Sequence, residues 1–228
     1  MTQVAGSLVP KAEGPIKFAV PRGTLFTATL DLLDAAGIPT AELRSDSRSL
    51  VFEVDGITLV TMRPSDVPTY VEAGAADVGI TGKDVLLEQA DRMVYELLDL
   101  GYGRCRMVLA GRVGDTRLGE AERRLGAMRI ATKYPRIAER HFEGSGRQAE
   151  VIEVKGSVEL APLSGLADGI VDLVATGRTL EENDLEVREE IVTCTARFVA
   201  NRVAHKLRSD EVDELTAKLK AASSAASP

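Results

Sequence analysis

Asp172 stands four residues ahead of the run Thr176-Gly177-Arg178-Thr179, and that spacing could do chemistry. The stretch between is apolar, and Ile170, Val171, Leu173, Val174 and Ala175 give way abruptly to the polar corner. A buried strand that ends in Thr-Gly-Arg-Thr and turns into a helix presents several backbone N–H groups at the helix N-terminus, where an anion is welcome. Gly177 lets the chain approach that anion without a Cβ in the way, and two threonine hydroxyls add donors. A carboxylate at the end of the strand can accept hydrogen bonds from the vicinal hydroxyls of a sugar whose phosphate the corner holds. Thr176 or Thr179 acting only as a helix cap is the plainer alternative for the four-residue run.

Other chemistries find little support. There is no GxxxxGK[ST] loop, and "GYGRCR" lacks the third glycine of a dinucleotide fingerprint. The two histidines, His141 and His205, come with no Ser-His-Asp signature, and structural or surface roles are expected for both. Cys105 and Cys194 make neither a disulfide framework nor a CxxC pair, and Cys105 is expected to be buried near a crossover. Lys83 and Asp84 occupy another strand-to-helix corner, where helix capping explains Asp84 as well as a ligand would.

Composition narrows the class further. The 228 residues are 44% hydrophobic and 28% charged, as in ordinary globular proteins, and suffice for one large domain or two small lobes. With 28 Lys plus Arg against 35 Asp plus Glu, the formal charge of -7 argues against a nucleic-acid partner. No segment approaches the roughly 20 apolar residues that cross a bilayer, so no membrane partner is expected. The opening "MTQVAGSLVPKAEGP" lacks a secretory core, which points to a cytoplasmic protein, and the closing "AASSAASP" is expected to fray.

The elements that would position these residues read as two successive α/β blocks. "IKFAV" is a short buried strand, followed by a helix with Leu25, Ala28, Leu32 and Ala36 at helical spacing and Gly37 at its end. Asp55-Gly56 divides residues 50–62 into a hairpin, and a capped helix then leads to the strand "VGIT". Gly101 and Gly103 mark a crossover. The pattern restarts with strand "RIATKY", helix "PRIAERHFEG", strand "AEVIEVKG", a short helix from "SVEL", strand "GIVDLVAT" and a helix from "GRTL". "VREEIVTCTARFVAN" reads as one long returning strand, and a last helix follows with Ser209 as its cap, acids in its first turn and lysines in its last. The expected fold is α/β and two-lobed, of the type II periplasmic-binding-protein kind, with a ligand cleft between lobes. Residues 1–104 plus 190–228 would form lobe I and residues 105–189 lobe II.

An acid, an apolar spacer and TGxT form a pattern used by proteins that bind phosphoribosyl pyrophosphate (PRPP). The type I phosphoribosyltransferases carry two adjacent acids there, whereas Asp172 is preceded by Val171. Five stretches, the fourth containing that pattern, occur in order: "IKFAVPRGTLFTATLDLLDAAGI", "MRPSDVPTYVEAGAADVGITGKDVLLE", "IATKYPRIAERHF", "VKGSVELAPLSGLADGIVDLVATGRTL" and "TARFVAN". Together they resemble the ATP phosphoribosyltransferase family over residues 16–203. The chain ends one helix after "TARFVAN", so the resemblance is to the short-form catalytic subunit.

The resemblance implies transfer of the phosphoribosyl group of PRPP to adenine N1 of ATP with release of pyrophosphate, the first step of histidine biosynthesis. It implies that Asp172 and Glu159 hold the ribose hydroxyls in lobe II and that Ala175, Thr176, Gly177, Arg178 and Thr179 cradle the 5′-phosphate. Arg22, Arg48 and Arg63 of lobe I would clamp pyrophosphate and the phosphates of ATP. Arg22 and Arg48 join Glu159 and Asp172 as the expected catalytic set. Where family members often carry KGR, this sequence has Arg22-Gly23-Thr24. Mg²⁺ is expected on the polyphosphate substrates, with no dedicated protein cage. A homodimer is implied, together with a regulatory subunit related to histidyl-tRNA synthetase in a hetero-octamer, through which histidine would act. A two-lobed binding protein and a catalytically dead regulatory paralogue are the competing expectations.

Overall fold

A computed structural model describes residues 14–45, 48–116, 119 and 127–226. Residues 1–13, the greater part of the stretch inspected for an export signal, lie outside the described residues. The chain divides into two compact units, one of Met1–Leu86, Asp91–Gly103 and Thr195–Pro228, the other of Leu87–Ala90 and Arg104–Cys194.

In the first unit, β1 (Ile16–Pro21), β2 (Val51–Val54), β3 (Ile57–Met62), β4 (Val78–Gly82), β5 (Val94–Asp99) and β11 (Ala196–Asn201) form a sheet in the order β2-β3-β1-β4-β11-β5. β1 runs parallel to β3 and β4. Every residue of β1 except Lys17 is buried, the near-continuous apolar reading of a parallel strand covered on both faces. Phe18 stacks on Phe198 at 5.7 Å beneath α1 (Phe26–Ala35) and the terminal helix, while Ala19 meets Val67 and Val71 of α2 (Val67–Glu72) on the other face. The hairpin read at Asp55-Gly56 is present, with φ of 46° and 79° at the two turn residues, the left-handed pair that a two-residue connection demands. α3 (Lys83–Glu88) follows β4.

In the second unit, β6 (Cys105–Arg112), β7 (Ala127–Thr132), β8 (Gln148–Glu153), β9 (Gly169–Val174) and β10 (Leu185–Cys194) form a sheet in the order β10-β6-β9-β7-β8. β7 is parallel to β8 and β9, and β6 is antiparallel to β9 and β10. α4 (Pro135–Gly144) covers one face through Ile137, Ala138 and Phe142. α5 (Leu160–Ser164) and α6 (Arg178–Glu182) cover the other through Ala161 and Leu180. The orders β3-β1-β4 and β8-β7-β9 reverse winding at their central strands. In open α/β sheets the crevice beyond the strands' carboxyl ends at such a reversal is where ligands sit.

Four local expectations fail. Residues 187–201 form two strands in different sheets, divided at Thr195, whose carbonyl accepts from the Lys83 amide at 2.9 Å. The stretch "RVAHKL" forms α7 (Arg202–Leu207), because the Asn201 side chain accepts from the amides of Val203 and Ala204 at 2.8 and 2.9 Å. Ser209 is consequently the first residue of α8 (Ser209–Ala226) and not its cap. α8 also continues through most of the tail expected to fray, so Lys218 and Lys220 lie inside the helix; Leu215, Leu219 and Ala222 bury at helical spacing and hold it in place.

Candidate functional site

Side chains alternate along β9: Ile170 and Val174 enter the core under α5 and α6, while Val171 enters the core under α4. Asp172 falls between Ile170 and Val174 on the same face, so a carboxylate stands at the margin of an apolar layer with 13% of its side chain exposed. Burial pushes its carboxyl above the ordinary value, and Glu159 adds to the rise. The Leu173 amide, 2.9 Å from Oδ1, and the Lys133 ammonium, 3.9 Å from Oδ2, act against it.

Beyond β9 the chain turns through exposed Ala175 and Thr176 to Gly177, whose φ of 88° lies in the left-handed region that glycine tolerates best. That turn starts α6, and the first amides of a helix have no partner within it. Glu159, residues 172–177, Thr179 and Leu180 line one cavity of about 220 Å³. The structure therefore gathers Glu159, Asp172, Ala175, Thr176, Gly177 and Thr179 around a single space. Arg178 contributes no lining, and its Nε donates to Glu182 Oε1 at 2.7 Å one helical turn on.

The neighbouring helix start is already taken. Amides of Arg136 and Ile137 at the head of α4 donate to Glu88 Oε1 and Oε2, each at 3.0 Å, so a carboxylate of the chain itself fills that anion position. Lys133, just before α4, was missed in the sequence. Only the pairing of β7 with β9 brings it to the end of the strand that carries Asp172.

In the first unit, Arg22 follows β1 and Arg63 follows β3, carried to one sheet edge by the parallel register Pro21↔Met62. Arg22 is pinned: Nε donates to Thr61 Oγ1 at 3.0 Å, Nη2 donates to the Ser49 carbonyl at 3.3 Å, and the guanidinium lies 5.7 Å from the Phe26 ring centroid. Arg48 is exposed next to Ser49, and Arg63 is exposed. Lys83 is engaged with Glu96 at 2.6 Å, in a chain that continues through Arg197 to Asp99. Asp84 is raised by burial and receives amide hydrogen bonds at the start of α3, the capping alternative.

The protein-family model for ATP phosphoribosyltransferase (HisG) matches residues 63–221. The chain belongs to the ATP phosphoribosyltransferase family. The ATP phosphoribosyltransferase of Rubrobacter xylanophilus is 53% identical over 207 residues, covering 90% of this chain and 94% of that protein. The one from Bacillus subtilis is 44% identical over 206 residues, covering 90% and 93%. Among solved structures, the ATP phosphoribosyl transferase (HisG:HisZ) complex from Thermotoga maritima matches with 36% identity and a TM-score of 0.76, covering 92% of this chain and 98% of that one. The periplasmic aliphatic sulphonate binding protein SsuA of Escherichia coli, 10% identical with a TM-score of 0.60 and covering 93% and 73%, shares the fold.

In this member of the ATP phosphoribosyltransferase family neither histidine lines the cavity. His141 Nε2 lies 3.2 Å from Glu189 Oε1 and 2.8 Å from Arg147 Nη2, fastening α4 to β10, and His205 packs edge-on against Tyr95 at 5.4 Å. Cys105, expected to be buried, is half-buried, because it is the first residue of β6, at the strand's margin and paired with Cys194, the last residue of β10. Among the described residues no group of three or more His, Cys, Asp and Glu side chains could hold a metal ion. Among them also, no helix is long and apolar enough to cross a membrane.

Proposed function

We propose that the protein is the catalytic chain of an ATP phosphoribosyltransferase, joining adenine N1 of ATP to the anomeric carbon of PRPP as the first step of histidine biosynthesis. The observation that carries the proposal is the cavity beyond β9, where two carboxylates and a glycine-turned helix start meet in a chain of this family. Asp172 and Glu159 are assigned to the ribose hydroxyls. The amides of residues 175–179, with the hydroxyls of Thr176 and Thr179, are assigned to the 5′-phosphate. Arg22, Arg48 and Arg63 of the first unit are assigned to pyrophosphate and the ATP phosphates, Arg22 being the one whose guanidinium is already anchored.

The reaction forms a bond from N1 to the anomeric carbon and breaks the bond from that carbon to the pyrophosphate oxygen, with inversion. Adenine N1 brings its own lone pair, so no protein base is needed for bond formation. The chain's contribution is positioning and charge: carboxylates near a sugar that gains cationic character, and arginines on a departing polyanion. Mg²⁺ fits as an ion carried by the polyphosphates, because it retains waters and substrate oxygens, and Asp172 with Glu159 makes no cage for it. The ion would neutralise charge on the departing pyrophosphate.

Likeness to a chain of the HisG:HisZ complex supports a separate regulatory subunit, through which histidine would act, in a hetero-oligomer built on a homodimer. A cytoplasmic location belongs to the same proposal. The test is to mix the protein with ATP, PRPP and Mg²⁺, with and without the candidate partner, and follow the N1-substituted adenine in the ultraviolet. Product formation supports the assignment. No product in either mixture would favour a binding protein of the same fold.

A further inference from the structure

We propose that Lys133 is a positioning residue, which from the end of β7 holds the Asp172 carboxylate ionised and oriented for the ribose hydroxyls of PRPP. This inference rests on the functional reading above and adds to it a residue outside the phosphate corner.

The placement follows from strand register. β7 and β9 are parallel neighbours with Thr132 beside Val171, so the next residues along, Lys133 and Asp172, are brought side by side. Thr132 is fully buried and fixes this strand end twice: its Oγ1 donates to the Val171 carbonyl at 2.7 Å and accepts from the Tyr134 amide at 2.8 Å. Lys133 is thus held between two fastened neighbours. Its Nζ lies 3.9 Å from Asp172 Oδ2, with 41% of the lysine side chain exposed and 13% of the aspartate's. The ammonium keeps contact with water while the carboxylate largely does not.

The groups around Asp172 show why a cation is needed. On β9 itself the Leu173 amide donates to Oδ1. From β6 the register partner is Val108, which carries no charge. Glu159, at the start of α5, lines the same cavity and is a like charge. Lys133, from β7, is the cation whose interaction with Asp172 opposes burial and Glu159. Two neighbouring carboxylates with limited access to water favour a proton on one of them. An ionised carboxylate only accepts hydrogen bonds, as two sugar hydroxyls require, whereas a protonated one donates. An ammonium at this distance keeps Asp172 in the accepting form.

The test has a ligand-free arm and a binding arm. The titration of the Asp172 carboxyl carbon is followed by ¹³C NMR in the unaltered protein, Lys133→Met and Lys133→Arg. The midpoint should rise by about one pH unit or more in Lys133→Met and stay in place in Lys133→Arg, which keeps the charge. PRPP affinity measured by calorimetry across pH should lose its acid limb by the same displacement in Lys133→Met. In an Asp172→Asn background, Lys133→Met should have no further effect on that affinity. A midpoint that does not move overturns the lysine's role. An equal loss in the Asp172→Asn background also overturns it, by making Lys133 a direct ligand contact. If the midpoint moves and the unaltered protein binds no PRPP at any pH, the functional reading falls, and the proposed role in it falls too.

Discussion

Replacing Gly177 by alanine separates the shape of the phosphate corner from its bulk. A Cβ built on Gly177 would have Glu181 Oε1 and Val174 Cγ1 as its nearest neighbours, both at 4.0 Å, which is ordinary contact. The cost therefore comes from the backbone, which holds φ at 88°. A left-handed conformation costs a residue with a Cβ about 1–2 kcal/mol. If the loop keeps its shape, the fold bears that cost, and melting falls by about 2–4 °C for each kcal/mol. If the loop relaxes, the amides at the start of α6 turn away from the cavity and binding bears it, as a roughly 5- to 30-fold loss of PRPP affinity. Gly165 supplies the control. It ends α5 at a φ of 77°, nothing lies within 4 Å of its Cβ position, and it does not line the cavity. Calorimetric titration with PRPP and thermal melting of Gly177→Ala and Gly165→Ala should show destabilisation within the same range, with the affinity loss confined to Gly177→Ala. Equal affinity losses in both variants, or a Gly177→Ala that neither melts lower nor binds PRPP more weakly, would refute the reasoning.

Asp172→Asn should be more heat-stable than the unaltered protein at neutral pH. The folded carboxyl titrates above its unfolded value, so ionised Asp172 costs stability as pH rises through the folded value, and below the ordinary carboxylate range the two proteins should melt alike. The same variant should bind PRPP roughly ten- to a hundredfold more weakly, through lost charge-assisted hydrogen bonds, as calorimetry would show. Arg22→Lys keeps the charge but cannot donate to both Thr61 Oγ1 and the Ser49 carbonyl from one planar group. Its affinity for inorganic pyrophosphate should fall by about tenfold, equivalent to one charge-assisted hydrogen bond. An affinity equal to that of the unaltered protein would remove Arg22 from the pyrophosphate clamp.

What the sequence revealed of the site was what is local along the chain. The strand, the acid and the glycine corner of residues 169–180 are contiguous, and their spacing alone raised the chemistry. Asp55-Gly56 was legible for the same reason, since two residues decide that turn. Lys133 was not, because 39 residues separate it from Asp172 and only the pairing of β7 with β9 joins them. The face on which Asp172 sits, and hence its upward shift, likewise depends on which helices cover the sheet. Arg178 belongs to the pattern, yet its side chain turns to Glu182, a pairing that helical spacing permits and the motif does not forbid. The break at Thr195 was hidden because residues 191–195 run into Ala196 with no glycine or proline to mark a boundary, and only the strands' partners differ. α8 outruns the polarity of its last residues because Ala222, small as it is, packs into the core.

The most direct test is a crystal structure of the protein with PRPP and Mg²⁺. The account predicts the 5′-phosphate against the amides of residues 175–179, with the ribose hydroxyls donating to Asp172 and Glu159 and Lys133 still beside Asp172. PRPP bound with its 5′-phosphate away from the Gly177 corner, or with its ribose out of reach of Asp172, would contradict it.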